Sequence, residues 1–320
     1  MSPPDVHFLT ASDGRRLFVR SYGDADANRT LVLVHGYGEH GGRYEHRVHH
    51  FTDKGFRVVV PDVRGHGRSD GPRGHVLRFE QYLEDLDRVL GEVRSLPGQT
   101  AVLGHSHGGL IAIRWALANP GRIAALAASS PLLGLAVKAP AWKLAAGKWM
   151  SRIAPKVSLP TEIKSSWVSH DTAVVAAYDA DPLNHHVVNS RWFTEATAAM
   201  EACHALASSL AIPALVVQAG DDKLVSASSA QSWAGAARAA YEEVDGAYRH
   251  DDRQAIFVGD LIDREDGQRR VLEIARGITG SGSGHVVLGN HELNAIAFAT
   301  QGPDGGWLRE HSEKNLEQHE

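Results

Sequence analysis

Short, nearly continuous apolar runs that break off at glycine or proline recur along the chain. Thr30-Leu31-Val32-Leu33-Val34 ends at His35-Gly36, Phe56-Arg57-Val58-Val59-Val60 at Pro61-Asp62, and Ala101-Val102-Leu103 at Gly104, while Ile123 to Ala128 and Ala214-Leu215-Val216-Val217 follow later. Apolar residues at consecutive positions, rather than alternation, suit a strand whose sheet is covered on both faces. Between the runs the spacing is helical. From Phe79 to Leu96 apolar side chains fall at Leu83, Leu86, Leu90 and Val93, a rhythm that predicts an amphipathic helix. Helices are also expected around Arg43 to Lys54 and from Leu110 through Leu117. Near the N-terminus, His7 to Thr10 and Leu17 to Arg20 flank Ser12-Asp13-Gly14 and read as two strands joined by a glycine turn. Strands alternating with helices predict an α/β fold: a mostly parallel sheet with helices on both faces.

The alternation stops between Pro131 and about Ala211, where a mainly helical insertion (about 132–211) is expected to sit as a lid over the sheet's C-terminal edge. Its Leu132, Leu133, Leu135, Val137, Trp142, Leu144, Trp149 and Met150 are interleaved with Lys138, Lys143 and Lys148. Two readings fit: lysines solvated while the apolar face packs on the core, or a lid that touches acyl chains or a bilayer surface. Composition changes again after Tyr248. Arg249-His250-Asp251-Asp252-Arg253 is a polar run, Gln254 to Val258 begins a new strand, and Gly280-Ser281-Gly282-Ser283-Gly284 reads as a flexible loop. The expected organisation is a main domain over 1–248 and a βαβ-like C-terminal fragment over 249–320.

Charge narrows the partners. The 320 residues carry 33 basic and 38 acidic side chains, a formal net charge of -5. These are mixed along the chain, so a polyanion partner, nucleic acid included, gains no support. Cys203 is the sole cysteine, which excludes an internal disulfide and a cysteine-rich metal site and fits a reducing compartment. Met1-Ser2-Pro3-Pro4-Asp5 lacks a basic region followed by an apolar stretch, and no run approaches membrane-spanning length. A cytoplasmic location is expected, with peripheral membrane contact through the lid as the second possibility.

The chemistry is concentrated in Gly104-His105-Ser106-His107-Gly108, which stands between an apolar strand and an apolar helix. Strand, G-x-S-x-G and helix in that order form a nucleophile elbow: the glycines make room for a strained turn that lifts the Ser106 hydroxyl clear of the backbone. Acyl transfer by serine also needs a base, an acid to orient it and donors for the oxyanion. The next strand end that carries acids is Gly220-Asp221-Asp222-Lys223-Leu224-Val225. The donors would be the backbone N–H groups of His107 and of Tyr37 in His35-Gly36-Tyr37-Gly38. The His107 side chain is read as structural, because its adjacency to Ser106 gives its ring the wrong geometry for a base.

Residues from about Phe8 to Tyr248 resemble the monoglyceride lipase and lysophospholipase branch of the α/β hydrolases. The resemblance rests, in order, on His35-Gly36-Tyr37-Gly38-Glu39-His40, Asp62-Val63-Arg64-Gly65-His66-Gly67-Arg68-Ser69, Gly104-His105-Ser106-His107-Gly108-Gly109, Asp181-Pro182-Leu183 and Gly220-Asp221-Asp222-Lys223-Leu224-Val225. It implies an α/β-hydrolase fold with a helical lid, Ser106 as nucleophile and Asp222 as acid. It also implies a small lipid or acyl-ester substrate of the monoacylglycerol or lysophospholipid kind, and no cofactor. The position of His107 is commonly methionine in that family. The family's base follows a strand in Gly-Ala-Tyr-His, whereas this chain has Asp245-Gly246-Ala247-Tyr248-Arg249-His250. Arg249 takes the expected place and His250 falls one residue later, so His250 is the candidate base, provided its loop brings it within about 3 Å of the serine hydroxyl.

A second constellation follows. Gly259-Asp260-Leu261-Ile262-Asp263-Arg264 and Gly289-Asn290-His291-Glu292 each succeed an apolar run, and together they resemble the calcineurin-like metallophosphoesterases. That resemblance implies that Asp260 would bridge two metals, Asn290 would ligate one, and Arg264 and His291 would meet a phosphate. Such donors suit Mn, Fe or Zn. No Asp-x-His occurs in the window where that family's strand end is expected, which the last strand of the main domain occupies, and the family's later histidine ligands are missing, so the dinuclear site is expected not to form. The chain therefore reads as two unrelated sequences joined near Asp245-Gly246-Ala247-Tyr248. The leading expectation is a serine esterase. The alternatives are a metal-dependent phosphoesterase working through the tail, or a silent fusion that lacks the triad's base.

Overall fold

The computed structural model describes residues 3–93, 99–136, 147, 149–161, 163–169, 171–220 and 222–237, together with short strands at 242–244, 247–249, 255–258 and 284–287. Its contacts divide the chain into two compact units, Met1–Ala237 and Arg238–Glu320.

In the first unit the apolar runs are strands: β1 (Asp5–Thr10), β2 (Arg16–Tyr22), β3 (Arg29–Val34), β4 (Arg57–Pro61), β5 (Gln99–His105) and β6 (Ala125–Ser129). Two three-residue strands, β7 (Ser158–Pro160) and β8 (Val187–Asn189), form a hairpin inside the insertion, and β9 (Ala214–Val217) returns the chain to the main sheet. The main sheet has seven strands in the order β1-β2-β4-β3-β5-β6-β9. Its first pairings, β1 with β2 and β2 with β4, are antiparallel; from β4 onward every pairing is parallel. This is the mostly parallel architecture that the runs predict.

Burial explains why the runs are continuous. In β3 every residue after Arg29 is buried, because helices cover both faces. Helix α1 (Glu45–Thr52) packs against β4 on one face; it is preceded by a 3-10 turn at Gly41–Tyr44, so the helix expected from Arg43 starts later. On the other face lie α2 (Glu80–Val93) and α3 (His107–Ala118). The α2 stripe contains the expected Leu86, Leu90 and Val93, with Leu83 partly covered, and is widened by buried Tyr82 and Val89. Helix α3 is buried almost all round, and accordingly its sequence shows no polar face.

The insertion differs from the helical expectation. Leu132 and Leu133 belong to the core rather than to a lid. Beyond them lie the β7–β8 hairpin, a 3-10 turn at Ser165–Trp167, α4 (Thr172–Ala180) and α5 (Ser190–Ala205). Three-residue strands are too short to show a period, which is why the hairpin could not be read from the sequence. Val137, Lys138, Trp142, Lys143, Leu144 and Lys148 lie outside the described residues. The last helix of the unit is α6 (Ala227–Ala237). In the second unit β10 (Glu242–Val244) pairs antiparallel with β11 (Ala247–Arg249), and β12 (Ala255–Val258) runs parallel to β13 (Gly284–Val287).

Ion pairs with almost no solvent contact pin the loops at the sheet's edge. Arg20 Nη1 donates to Asp62 Oδ1 at 2.6 Å, and the carboxylate also accepts the Gly41 N–H (2.8 Å) and the Arg68 N–H (2.8 Å). Arg64 makes a two-pronged pair with Asp85, both bonds 2.6 Å, and reaches Asp13 at 2.8 Å. Because the Asp62 side chain is fully buried, Asp62→Ala would strand the Arg20 charge inside the fold. A loss of about 3–5 kcal/mol is expected, seen as a lower urea midpoint with an unchanged m-value.

Candidate active site

β5 delivers Ser106 into a turn that α3 continues. Ser106 has φ 51 and ψ -115, a backbone state that non-glycine residues rarely adopt and that costs about 1–3 kcal/mol. Close backbone approaches enforce it. A Cβ on Gly104 would stand 2.3 Å from the Gly108 carbonyl oxygen, and one on Gly108 would stand 2.2 Å from that of Val34. Neither position can accept a side chain. The strained residue is held by its own peptide groups: its N–H donates to Ser129 O (2.9 Å), and its carbonyl accepts from Leu110 (3.1 Å) and Leu132 (2.9 Å).

Strand register brings the other expected parts to the same edge. Val34 pairs with Gly104, His105 with Ser129, and Ser129 with Val217, so the loops after β3, β5 and β9 all emerge together at the carboxyl ends of parallel strands. In the loop after β3, Glu39 is buried and its Oε1 accepts the Gly36 N–H (2.8 Å) and the Tyr44 hydroxyl (2.6 Å), while Arg43 donates to Oε2 (2.8 Å). The His35 Nε2 accepts the Val63 N–H (2.8 Å), and its Nδ1 lies 2.7 Å from Gly36 O. His35 is thus a neutral ring with its proton on Nδ1. The Tyr37 hydroxyl donates to Val187 O (3.0 Å), and His185 N–H donates to Gly38 O (2.9 Å). Asp181 of the Asp-Pro-Leu motif receives Leu183 N–H on one oxygen (2.9 Å) and stands 2.8 Å from His40 Nε2 on the other. The motif ties the lid's stem to this loop.

After β9, Asp222 is half-buried. Its Oδ1 accepts the N–H groups of Leu224 and Val225, both at 2.9 Å, and Oδ2 faces Gln218 Nε2 at 3.4 Å. A bridge between Leu135 and Val225, flanked by Ala136 N–H to Leu224 O (3.1 Å) and Ser226 N–H to Gly134 O (3.0 Å), keeps this loop in place. One oxygen is spent on the turn, and the other meets the Gln218 amide at the long distance of 3.4 Å. Asp221 and His250 lie outside the described residues, as do Asp260, Arg264, Asn290 and His291. Among the described residues no group of three or more His, Cys, Asp or Glu side chains is arranged to hold a metal ion.

The family model Hydrolase_4, described as "Serine aminopeptidase, S33", matches residues 25–250. This chain belongs to that family. Among the hydrolase's relatives is phospholipase YtpA of Bacillus subtilis, 33% identical over 224 residues that span 68% of this chain and 86% of the relative. Another is a monoacylglycerol lipase of Mycolicibacterium smegmatis, 35% identical over 208 residues, covering 63% and 73%. The solved monoacylglycerol lipase of Paleococcus ferrophilus superposes with a TM-score of 0.63 at 31% identity, covering 68% of this chain and 82% of that one. These relatives place the hydrolase in the monoglyceride lipase branch of the α/β hydrolases, as its motifs imply.

Behind the elbow the hydrolase carries a buried cluster of imidazoles. His107 has no solvent exposure, and its Nε2 accepts the Trp192 indole N–H at 3.3 Å. Rings of Tyr82 (4.8 Å), Tyr37 (5.7 Å) and His66 (6.2 Å) surround it, and His185 lies 4.6 Å from His66. Burial, with His35 and His185 nearby, pushes His107 down to about 3; burial and the Arg73 charge push His185 down to about 4; burial takes His66 well below the ordinary imidazole value. The unfolded ring takes up its proton near about pH 6.5. The stability that each neutral ring contributes is therefore complete above that pH and is lost as pH falls toward the folded value. In this window one ring contributes a slope of about 1.4 kcal/mol per pH unit. His107→Met should flatten the pH dependence of unfolding free energy by about that slope between about pH 6 and pH 4, measured by urea titration at several pH values. A slope identical to that of the parent would show that His107 is protonated in the fold.

Proposed function

We propose that the protein hydrolyses carboxylic esters of the monoacylglycerol and lysophospholipid class through an acyl-enzyme on Ser106. The carrying observation is the strained elbow at Ser106, set at the same sheet edge as the Glu39-anchored loop and the Asp222 turn. The names of the relatives, phospholipase and monoacylglycerol lipase, support the substrate class. In this reading the Ser106 hydroxyl attacks the acyl carbonyl while His250 takes its proton, and Asp222 orients that imidazole. The backbone N–H groups of His107 and Tyr37 receive the oxyanion. His250 returns the proton to the departing alcohol, and water then cleaves the acyl-enzyme by the same route. His250 rests on chain order and on the family match, which runs through residue 250.

Ser106→Ala should lower turnover of p-nitrophenyl butyrate and of a monoacylglycerol by about 10^4-fold or more, because triad members act as a unit. His250→Ala should fall nearly as far; unchanged turnover would remove His250 from the triad. A parent rate no higher than that of Ser106→Ala would leave a silent fusion.

The lid makes peripheral contact with lipid surfaces in this reading, and the protein works in the cytoplasm, the compartment a lone cysteine fits. Support comes from Trp149, Ile153 and Leu159, which are 64%, 57% and 62% exposed, and from Arg152, Lys156 and Lys164 in the same segment. No helix among the described residues is long and apolar enough to cross a membrane. The double change Trp149→Ser with Ile153→Ser should weaken co-sedimentation with phosphatidylglycerol vesicles by about tenfold or more, given about 1.5–3 kcal/mol per buried large apolar side chain. Equal sedimentation would refute the contact.

In this reading the C-terminal unit is similar to metallophosphoesterases. The parallel register of β12 and β13, Val258 opposite Val287, supports this, since Gly259-Asp260 and Gly289-Asn290 follow the same ends of those strands. With no Asp-x-His in the window ahead of Gly259-Asp260, the donor set does not suit two metals. EDTA should leave ester hydrolysis unchanged, and p-nitrophenyl phosphate should not be cleaved.

A further inference from the structure

Both proposed oxyanion donors sit among glycines. Tyr37 lies between Gly36 and Gly38, and His107 is followed by Gly108 and Gly109. The close approaches at Gly108 and Gly109 and the positive φ of 77 at Gly38 require those glycines. An oxyanion hole works only if its N–H groups are fixed before charge develops. The peptides that carry these N–H groups are held on their carbonyl side, Gly36 O by His35 Nδ1 at 2.7 Å and Ser106 O by the N–H groups of Leu110 and Leu132. The side chains of Tyr37 and His107 hold the other side, and both lead to the same residue.

That residue is Trp192, in the first turn of α5. Its indole lies 4.1 Å from the Tyr37 ring, centroid to centroid, and its Nε1–H donates to His107 Nε2 at 3.3 Å. Trp192 is itself held firmly. Its backbone N–H donates to the Oδ1 of buried Asn189, the helix cap, at 2.8 Å, and its side chain belongs to the main core. The segment leading into α5 grips the Tyr37 loop at two further points, His185 N–H to Gly38 O and the Tyr37 hydroxyl to Val187 O.

We infer that Trp192 is a positioning residue for the oxyanion hole, fixing Tyr37 through ring contact and His107 through the indole hydrogen bond so that both donors are held against one side chain. This rests on the esterase reading of Ser106. A residue acting in this way changes the rate of acyl transfer rather than the affinity for substrate, because the oxyanion forms only in the transition state.

Trp192→Phe keeps a ring against Tyr37 and deletes the N–H, while His107→Met deletes the acceptor. Each should lower kcat for p-nitrophenyl butyrate about tenfold, the worth of one buried hydrogen bond, with KM unchanged. The double variant should be no slower than either single one, since both break one bond. Amide exchange over 35–39 and over 105–110 should quicken together in Trp192→Phe. Unchanged kcat with unchanged exchange overturns the inference, and so does a loss confined to KM or to Tm. If the parent shows no Ser106-dependent turnover, the esterase reading fails, and the exchange comparison alone then decides the positioning role. If Trp192→Phe does not fold, His107→Met carries the same comparison.

Discussion

The carbonyl oxygens of Val34 and His35 lie 2.2 and 2.5 Å from the point where a Cβ on Gly108 would stand. That approach forces the end of β3 against the start of α3, and the rest of the site depends on it. It bends the chain at Ser106 into a state that serine adopts only under constraint. It also places the Tyr37 loop against the elbow, so Ser106 and the proposed oxyanion donors share one wall. Finally, it sets Ser106 at the N-terminus of α3, where the proposed mechanism places the reacting carbonyl. The helix dipole, equivalent to about half a positive charge there, favours the developing oxyanion. One steric fact thus produces geometry and electrostatics together.

Loops at strand ends lose ladder partners, and their N–H groups need acceptors elsewhere. Three carboxylates supply them: Glu39 for Gly36, Asp62 for Gly41 and Arg68, and Asp222 for Leu224 and Val225. Their surroundings separate their roles. Glu39 and Asp62 are buried and have arginine partners, so their capacity is spent on holding loops. Asp222 is half-buried, and its Oδ2 makes a 3.4 Å contact with the Gln218 amide. The same side-chain chemistry anchors loops in two places and is the acid of the proposed triad in the third.

Much of this was legible because it is local. Apolar runs such as Thr30 to Val34 identify buried strands, since both faces of β3 are covered, and glycines 104 and 108 announce a turn with no space for side chains. The α2 stripe is legible from Leu86, Leu90 and Val93, which are buried, and Leu83 packs partly buried against the same core; Tyr82 and Val89 widen the stripe, and Tyr82 meets the His107 ring. Leu132 and Leu133 looked like the start of the lid because apolar residues continue past Pro131; only the bond from Leu132 N–H to Ser106 O shows that they finish the core. Trp192 had no local signal at all. It stands 85 residues from His107 in sequence, and nothing short of the fold brings the two together.

The distribution of these parts separates two tasks of the proposed mechanism. Elbow, donor loop, Asp222 turn and Trp192 clamp all lie within Met1–Ala237 and are braced by contacts inside that unit. An oxyanion hole and bound substrate without a complete triad still accelerate acyl transfer by about 10^3–10^4 over water. Preorganisation and proton transfer are therefore separable in this chain. On the proposed mechanism a weakened base slows the second and leaves the first intact, so the strained backbone at Ser106 keeps its effect on the geometry of the elbow.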